Sequence, residues 1–215
     1  MVMDTIKEKQ GFSGLKQQEW DTRRNLIMDA AERVFASETF NKVNMRKIAK
    51  EAGISPGSIY TYFENQEELF LAASMRGAER LTKLFADLIE SDHKSVQDAA
   101  VTYIEFISHN YEYLRMMQHS ILYAQFKSRA SLDKLVETFR VLFHQFDIII
   151  KNYIPSGNIR NFSHLFFAAL NGILLSYGRF PDRTSDEVLI HMKELATILG
   201  ALLENYKSND SSPTM

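Results

Sequence analysis

The chain has 215 residues, a formal charge of −2 and no cysteine. That length can bury a real core, in one domain or two small ones. The missing thiols exclude a disulfide framework, a thiolate metal site and a cysteine nucleophile. Residues 1–80 hold 12 basic and 12 acidic side chains, so any affinity for nucleic acid must come from a local patch. The N-terminus lacks the apolar core of a signal peptide, and no apolar run approaches a membrane span. A cytoplasmic protein is expected.

Residues 1–20 are polar, with Gly11 and Gly14 as breaks and Lys7, Lys9 and Lys16 offset by Asp4, Glu8 and Glu19. They predict a mobile extension and not a basic minor-groove arm. A first helix is predicted from about Asp21 or Thr22 to Ser37, with Ile27, Ala30, Ala31, Val34 and Phe35 as its apolar stripe. Arg23 and Arg24 near its start could touch a DNA backbone, although exposed arginines are commonly just solvated. Phe40 and Val43 then close a small core.

The stretch from Asn44 to Phe63 is the most specific part of the chain. Asn44 is a good N-cap, and Met45, Ile48, Ala49 and Ala52 follow at the spacing of one helical stripe. Gly53 stands where that helix should stop, because glycine enters the left-handed conformation without steric cost. Ser55 as N-cap and Pro56 at the first helical position then start a second helix. A helix, a tight glycine turn and a second short helix make a helix-turn-helix, whose second helix suits the DNA major groove. Lys42, Arg46, Lys47 and Lys50 make the approach basic, and no acidic residue lies between Asn41 and Lys50. Pro56 and Gly57 keep the front of the second helix small. Ser55, Ser58, Tyr60, Thr61 and Tyr62 supply hydroxyls for phosphates or base edges.

The longer run I-S-P-G-S-I-Y-T-Y-F-E-N-Q-E-E-L-F, preceded by an amphipathic helix, resembles the N-terminal DNA-binding domain of the TetR family of repressors. The resemblance covers about Thr22 to Leu81. It implies that Asn44 and Tyr60 contact phosphates, and that Ser55, Pro56, Gly57, Ser58 and Thr61 face the groove. The family usually has Gly where Thr39 stands and Lys where Gln66 stands; the second departure removes one phosphate contact.

After Phe63 a long helix is predicted from near Asn65 to about Ile89, with Glu67 and Glu68 placed against its N-terminal dipole. Further helical segments follow at about 95–119, 121–127, 132–153, 159–179 and 185–207, and 208–215 reads as a disordered tail. The predicted fold is all-α: a DNA-binding domain over 21–81 and a helical effector-binding and dimerisation domain over 82–207.

The segment from Tyr103 to Phe146 is rich in aromatic residues and methionine. Any one of them taken singly is more commonly plain core, yet a core built for rigidity alone would favour Leu, Ile and Val. Aromatics and Met line adaptable apolar sites. The TetR resemblance implies a small-molecule pocket in this domain. The candidate lining is Tyr103, Phe106, Tyr113, Met117, Tyr123, Phe126, Phe143 and Phe167. Asp147 and Asn171, polar residues on apolar faces, are candidates to orient the ligand, as is Glu105, although such groups are more commonly satisfied by a neighbouring helix. An apolar, elongated effector fits this lining better than a sugar or nucleotide.

Between Phe162 and Tyr177 nearly every position is apolar, so that helix needs cover on more than one side. Ala168, Gly172 and Ser176 recur every four residues as a small-residue groove. The last helix carries a stripe that includes Val188, Met192, Leu195, Ala196 and Leu199. The resemblance implies that these two helices pair with their copies in a homodimer, a symmetry that suits a palindromic operator.

The six histidines show no metal-ligand spacing, no Ser sits on a nucleophile elbow, and Gly11 to Gly14 is not a phosphate loop. Neither an enzyme nor a bound cofactor or metal is expected. The expected function is a ligand-responsive transcriptional repressor. The alternative is a helical dimeric binding protein that works through protein contacts or a small ligand without specific DNA binding.

Overall fold

The computed structural model describes residues 2–38, 42–92, 94–122, 128–154, 158–178 and 180–206, with 2–13 and 122 described by backbone alone. Nine helices and no strand occur among them: α1 (Val2–Ser37), α2 (Met45–Glu51), α3 (Pro56–Ile59), α4 (Gln66–Glu90), α5 (Val96–His109), α6 (Tyr111–Leu122), α7 (Arg129–Lys151), α8 (Ile159–Tyr177) and α9 (Ser185–Glu204). Thr39, Phe40, Tyr123, Phe126 and the tail after Tyr206 lie outside the described residues.

The chain forms two compact units. The first comprises Met1–Ser74 and Arg115–Lys127, the second Met75–Leu114 and Ser128–Met215. Helices α4 and α6 therefore each contribute to both.

Local signals build the first unit. Asn44 is extended, and its side-chain oxygen accepts from the Lys47 backbone N–H at 3.0 Å, which starts α2. At the other end Gly53 has φ +69°. Its N–H donates to the Lys50 carbonyl at 3.2 Å and the Ile54 N–H to the Ala49 carbonyl at 2.9 Å. Those two bonds are the Schellman pairing that glycine permits. Ile27, Ala31, Phe35, Ile48, Ile59 and Phe63 bury the faces these turns bring together, and Phe35 meets the Phe70 ring edge-on at 5.0 Å. Met116 of α6 belongs to the same core, and His119 sits edge-on to Phe70 at 5.4 Å. Burial lowers the pKa of His119 and so favours its neutral form.

Two expectations need correction. Helix α1 begins at Val2, so the backbone of residues 2–20 is helical and continuous with the first helix expected from about Asp21. Glycine inside a helix costs about 1 kcal/mol, but no proline interrupts this stretch and Lys, Glu and Gln favour helix. Once packing nucleates α1, adding turns is cheap. The predicted helix over 95–119 is broken at Asn110, whose side-chain amide donates to the Phe106 carbonyl at 2.7 Å. A short polar side chain that bonds its own backbone competes with the helix ladder.

In the second unit α5 lies along α9, while α8 packs on α7, α9 and α5. Tyr103, Phe146 and Phe166 are fully buried, and Phe146 meets Phe85 and Phe166 edge-on at 5.1 and 5.2 Å. Near the C-terminal end of α9, Glu204 accepts from the Gln97 backbone N–H at 3.0 Å and from its side chain at 2.7 Å. A carboxylate at the first turn of α5 also suits that helix dipole.

Helix α9 starts with a capping box. The Thr184 N–H and hydroxyl donate to Glu187 at 2.8 and 2.9 Å, which holds its carboxyl below the ordinary 4.5. A carboxyl with a depressed folded pKa binds fewer protons folded than unfolded. Its stabilisation is therefore complete above the unfolded value and is lost as pH falls through the folded one. Glu187→Gln should flatten the acid limb of the stability curve below pH 4.5. Urea midpoints from about pH 3 to about pH 6 check this; an unchanged acid slope would remove the cap from the account.

Candidate nucleic-acid interface, aromatic core and outward helix face

The second helix of the helix-turn-helix is shaped by its own first residue. The Ser55 side chain accepts from the Ser58 N–H at 3.1 Å, and the two hydroxyl oxygens lie 2.7 Å apart. Both hydroxyls are thus partly committed to the cap. A Cβ on Gly57 would meet nothing closer than the Ser55 hydroxyl at 4.0 Å, so the approach to the front of α3 is open. Pro56, Gly57, Ser58 and Thr61 are exposed, and Tyr60 is 56% exposed. This surface offers small groups and hydroxyls to an incoming partner.

Tyr62 behaves differently. It is half-buried, and its ring lies 4.4 Å from Trp20. The sequence grouped Tyr62 with Tyr60; Tyr60 stands in the open, whereas the Tyr62 ring packs on Trp20. Because the Asn44 oxygen is used as the cap, its NH2 is the group left to donate to a phosphate.

The basic run is also divided. Lys47 pairs with Glu38, and Arg33 with Glu51 at 2.7 Å. Lys42, Arg46 and Lys50 are exposed and form no ion pair among the described residues. Positive charge for a polyanion therefore rests on these three more than on Lys47.

The predicted ligand residues fall in different units. Met117 belongs to the first unit, whereas Tyr103, Phe106, Tyr113, Phe143, Asp147, Phe167 and Asn171 belong to the second. Tyr123 and Phe126 lie outside the described residues. Phe106 and Tyr113 meet at 5.9 Å, and Tyr113 presses on Gly77, where an added Cβ would sit 2.2 Å from its ring. A separate aromatic row links Tyr103 to Phe167 at 6.1 Å and Phe167 to Phe143 at 5.2 Å, edge against face. Phe143 and Phe167 remain half-buried.

Neighbouring helices satisfy the polar candidates. Asn171 donates to the Tyr103 hydroxyl at 3.0 Å and to the Phe167 carbonyl at 2.8 Å. Asp147 pairs with Arg160 at 2.8 Å and accepts from the buried Ser163 hydroxyl at 2.5 Å. Glu105 pairs with Lys193. Burial raises the pKa of the Tyr103 and Tyr113 phenols far above the ordinary 10, so both stay neutral. What remains for a ligand is an apolar aromatic surface. No group of three potential metal ligands occurs among the described residues, and no helix there is long and apolar enough to cross a membrane.

On α8, Ala168, Gly172 and Ser176 are exposed, and the large residues Leu165 and Leu175 flank them in the open. On α9 the outcome differs from expectation. Met192 is only 3% exposed and, with Val188, Ala196 and Leu203, faces the protomer's own core. Leu195 and Leu199 are half-buried. The apolar side chains left in the open are Ile190, Ile198 and Leu202. They stand eight and four residues apart, a helical period the sequence carries, but the stripe of Val188, Met192 and Ala196 on the same helix masked it.

Residues 27–73 match the family model for bacterial regulatory proteins of the tetR family. Solved structures share the fold. The fatty acid degradation regulator FadR from Bacillus halodurans is 18% identical, over 85% of this chain and 98% of that one, with a TM-score of 0.64. FadR from Bacillus subtilis, solved with stearoyl-CoA, is 16% identical over 82% and 97%, with a TM-score of 0.66. The TetR-family regulator PfmR from Thermus thermophilus is 15% identical over 82% and 96%, with a TM-score of 0.65.

Proposed function

We propose that this chain, whose residues 27–73 match the tetR-family model, is a TetR-family transcriptional repressor released by a long-chain acyl effector. The observation that carries the DNA-binding part is the open front of α3 beside Lys42, Arg46 and Lys50, three exposed cations that form no ion pair among the described residues. Phosphates take the cations and the Tyr60 hydroxyl, while Pro56, Gly57, Ser58 and Thr61 meet base edges. A two-fold pair of chains presents two such helices, about 34 Å apart, to the halves of a palindromic operator. The outward apolar face of α8 and α9 supports that pairing.

The effector reading rests on chemistry and on one relative. The polar groups near the aromatic row are already paired, so affinity comes from apolar burial, at about 0.8 kcal/mol per methylene. A long acyl chain uses that surface best, and the B. subtilis FadR structure contains stearoyl-CoA. Coupling has a physical route, because α4 and α6 each run through both units. A ligand that binds one arrangement of these helices about a hundredfold better supplies about 2.7 kcal/mol.

The test begins with a duplex selected from random DNA by the protein, followed by titration with acyl-CoAs of increasing chain length. Fluorescence anisotropy should show release that strengthens with chain length, and DNA should weaken acyl binding by the same factor. Tight operator binding that no acyl compound disturbs would overturn the effector assignment. Absence of salt-sensitive DNA binding would overturn the repressor reading in favour of a dimeric binding protein without specific DNA.

A further inference from the structure

Arg23 and Arg24 are adjacent in sequence, but the fold gives them different chemistry. Arg23 is held by Glu19 at 2.6 Å, so a carboxylate already offsets its charge. Arg24 has no carboxylate partner among the described residues. Its guanidinium carbon lies 4.6 Å over the Phe63 ring, and one of its nitrogens lies 3.9 Å from the Met28 sulfur. A guanidinium stacked on a ring keeps its charge and most of its five donors, with an orientation already set. An anion that meets it loses little side-chain entropy.

The place matters as much as the charge. Phe63 closes the helix-turn-helix, and its N–H donates to the Ile59 carbonyl at 3.1 Å, one turn on from the open front of α3. Phe63 is 1% exposed, so Arg24 marks the surface just beyond the end of the recognition segment. When the front of such a helix enters the major groove, the elements behind it meet the sugar-phosphate wall. We infer that Arg24 is a preorganised phosphate anchor contributed by α1, in addition to the cations of the helix-turn-helix. This rests on the DNA-binding reading above. A planar fork facing a tetrahedral oxyanion predicts a contact that adds affinity without reading sequence.

The experiment measures binding of the selected duplex and of an unrelated duplex against NaCl, using the full-length protein. R24M removes the charge but keeps an apolar cover on Phe63, and R24Q is the second neutral variant should R24M fail to fold by circular dichroism. Loss of one phosphate contact should make the log–log salt slope shallower by about 0.9 and weaken binding about eightfold near 0.1 M salt, for both duplexes. R24K should keep the slope, and R23M should change it little. A folded neutral variant with the wild-type slope would overturn the inference, as would a loss confined to the selected duplex. If the wild-type protein shows no salt-dependent binding, the DNA-binding reading fails and takes this inference with it. If wild-type binding is intact, the variants judge Arg24 alone.

Discussion

A chain carrying Leu175→Glu and Leu202→Glu together should sediment as a monomer and lose about 10²- to 10⁴-fold in affinity for a two-half-site operator. In the single chain Leu175 is 62% and Leu202 67% exposed, so neither change disturbs the protomer core. Fully burying a leucine is worth about 1.5–3 kcal/mol, and a two-fold interface uses every such contact twice. A carboxylate in its place would be buried without a partner, at a cost of several kcal/mol. Once the pair separates, each protomer binds its half-site alone and the avidity of the second half is gone. Analytical ultracentrifugation and anisotropy check both parts. An intact dimer would move the interface to another face. Met192→Glu is the internal contrast: because Met192 is buried in its own protomer, that change should unfold the domain instead of releasing a folded monomer.

Gly200→Leu should destabilise the second unit more than an ordinary surface change in α9. A Cβ at Gly200 would lie 2.5 Å from the Gln97 Cα and 2.6 Å from its nitrogen. These are backbone atoms of α5, so no side chain can swing aside. The two helices must separate, at about 1–3 kcal/mol for overpacking alone. Separation also strains the two hydrogen bonds from Gln97 to Glu204, each worth about 1.5–3 kcal/mol with a charged acceptor. Gly14→Ala is the control, because nothing lies within 4 Å of its added methyl. There the helix should gain up to about 1 kcal/mol. Urea unfolding of the two variants should give opposite signs. A Gly200→Leu midpoint equal to wild type would mean that the α5–α9 approach is not rigid.

What was legible in the sequence is what a few neighbouring residues decide. Asn44, Gly53, Ser55 and Pro56 set the ends of α2 and α3 through bonds that span three to five positions. The helix-turn-helix and its open, hydroxyl-bearing front could therefore be read without a fold. The existence of the later helices was legible for the same reason, since apolar period and breakers are local properties. Other questions had more than one local answer. Helix α9 carries two apolar stripes of the same period, and only packing against α5 determines that Met192 turns inward while Ile190, Ile198 and Leu202 stay out. That neighbouring helices would satisfy Asp147 and Asn171 was open to the sequence, but which residues do so, Arg160, Ser163 and Tyr103, only the fold decides. Lys47 and Arg24 each follow an arginine in a helix, yet one meets Glu38 and the other the face of Phe63. Secondary structure follows from contacts a turn apart, whereas the side a helix buries and the partner a charge finds depend on atoms that only the folded chain brings within a few ångströms.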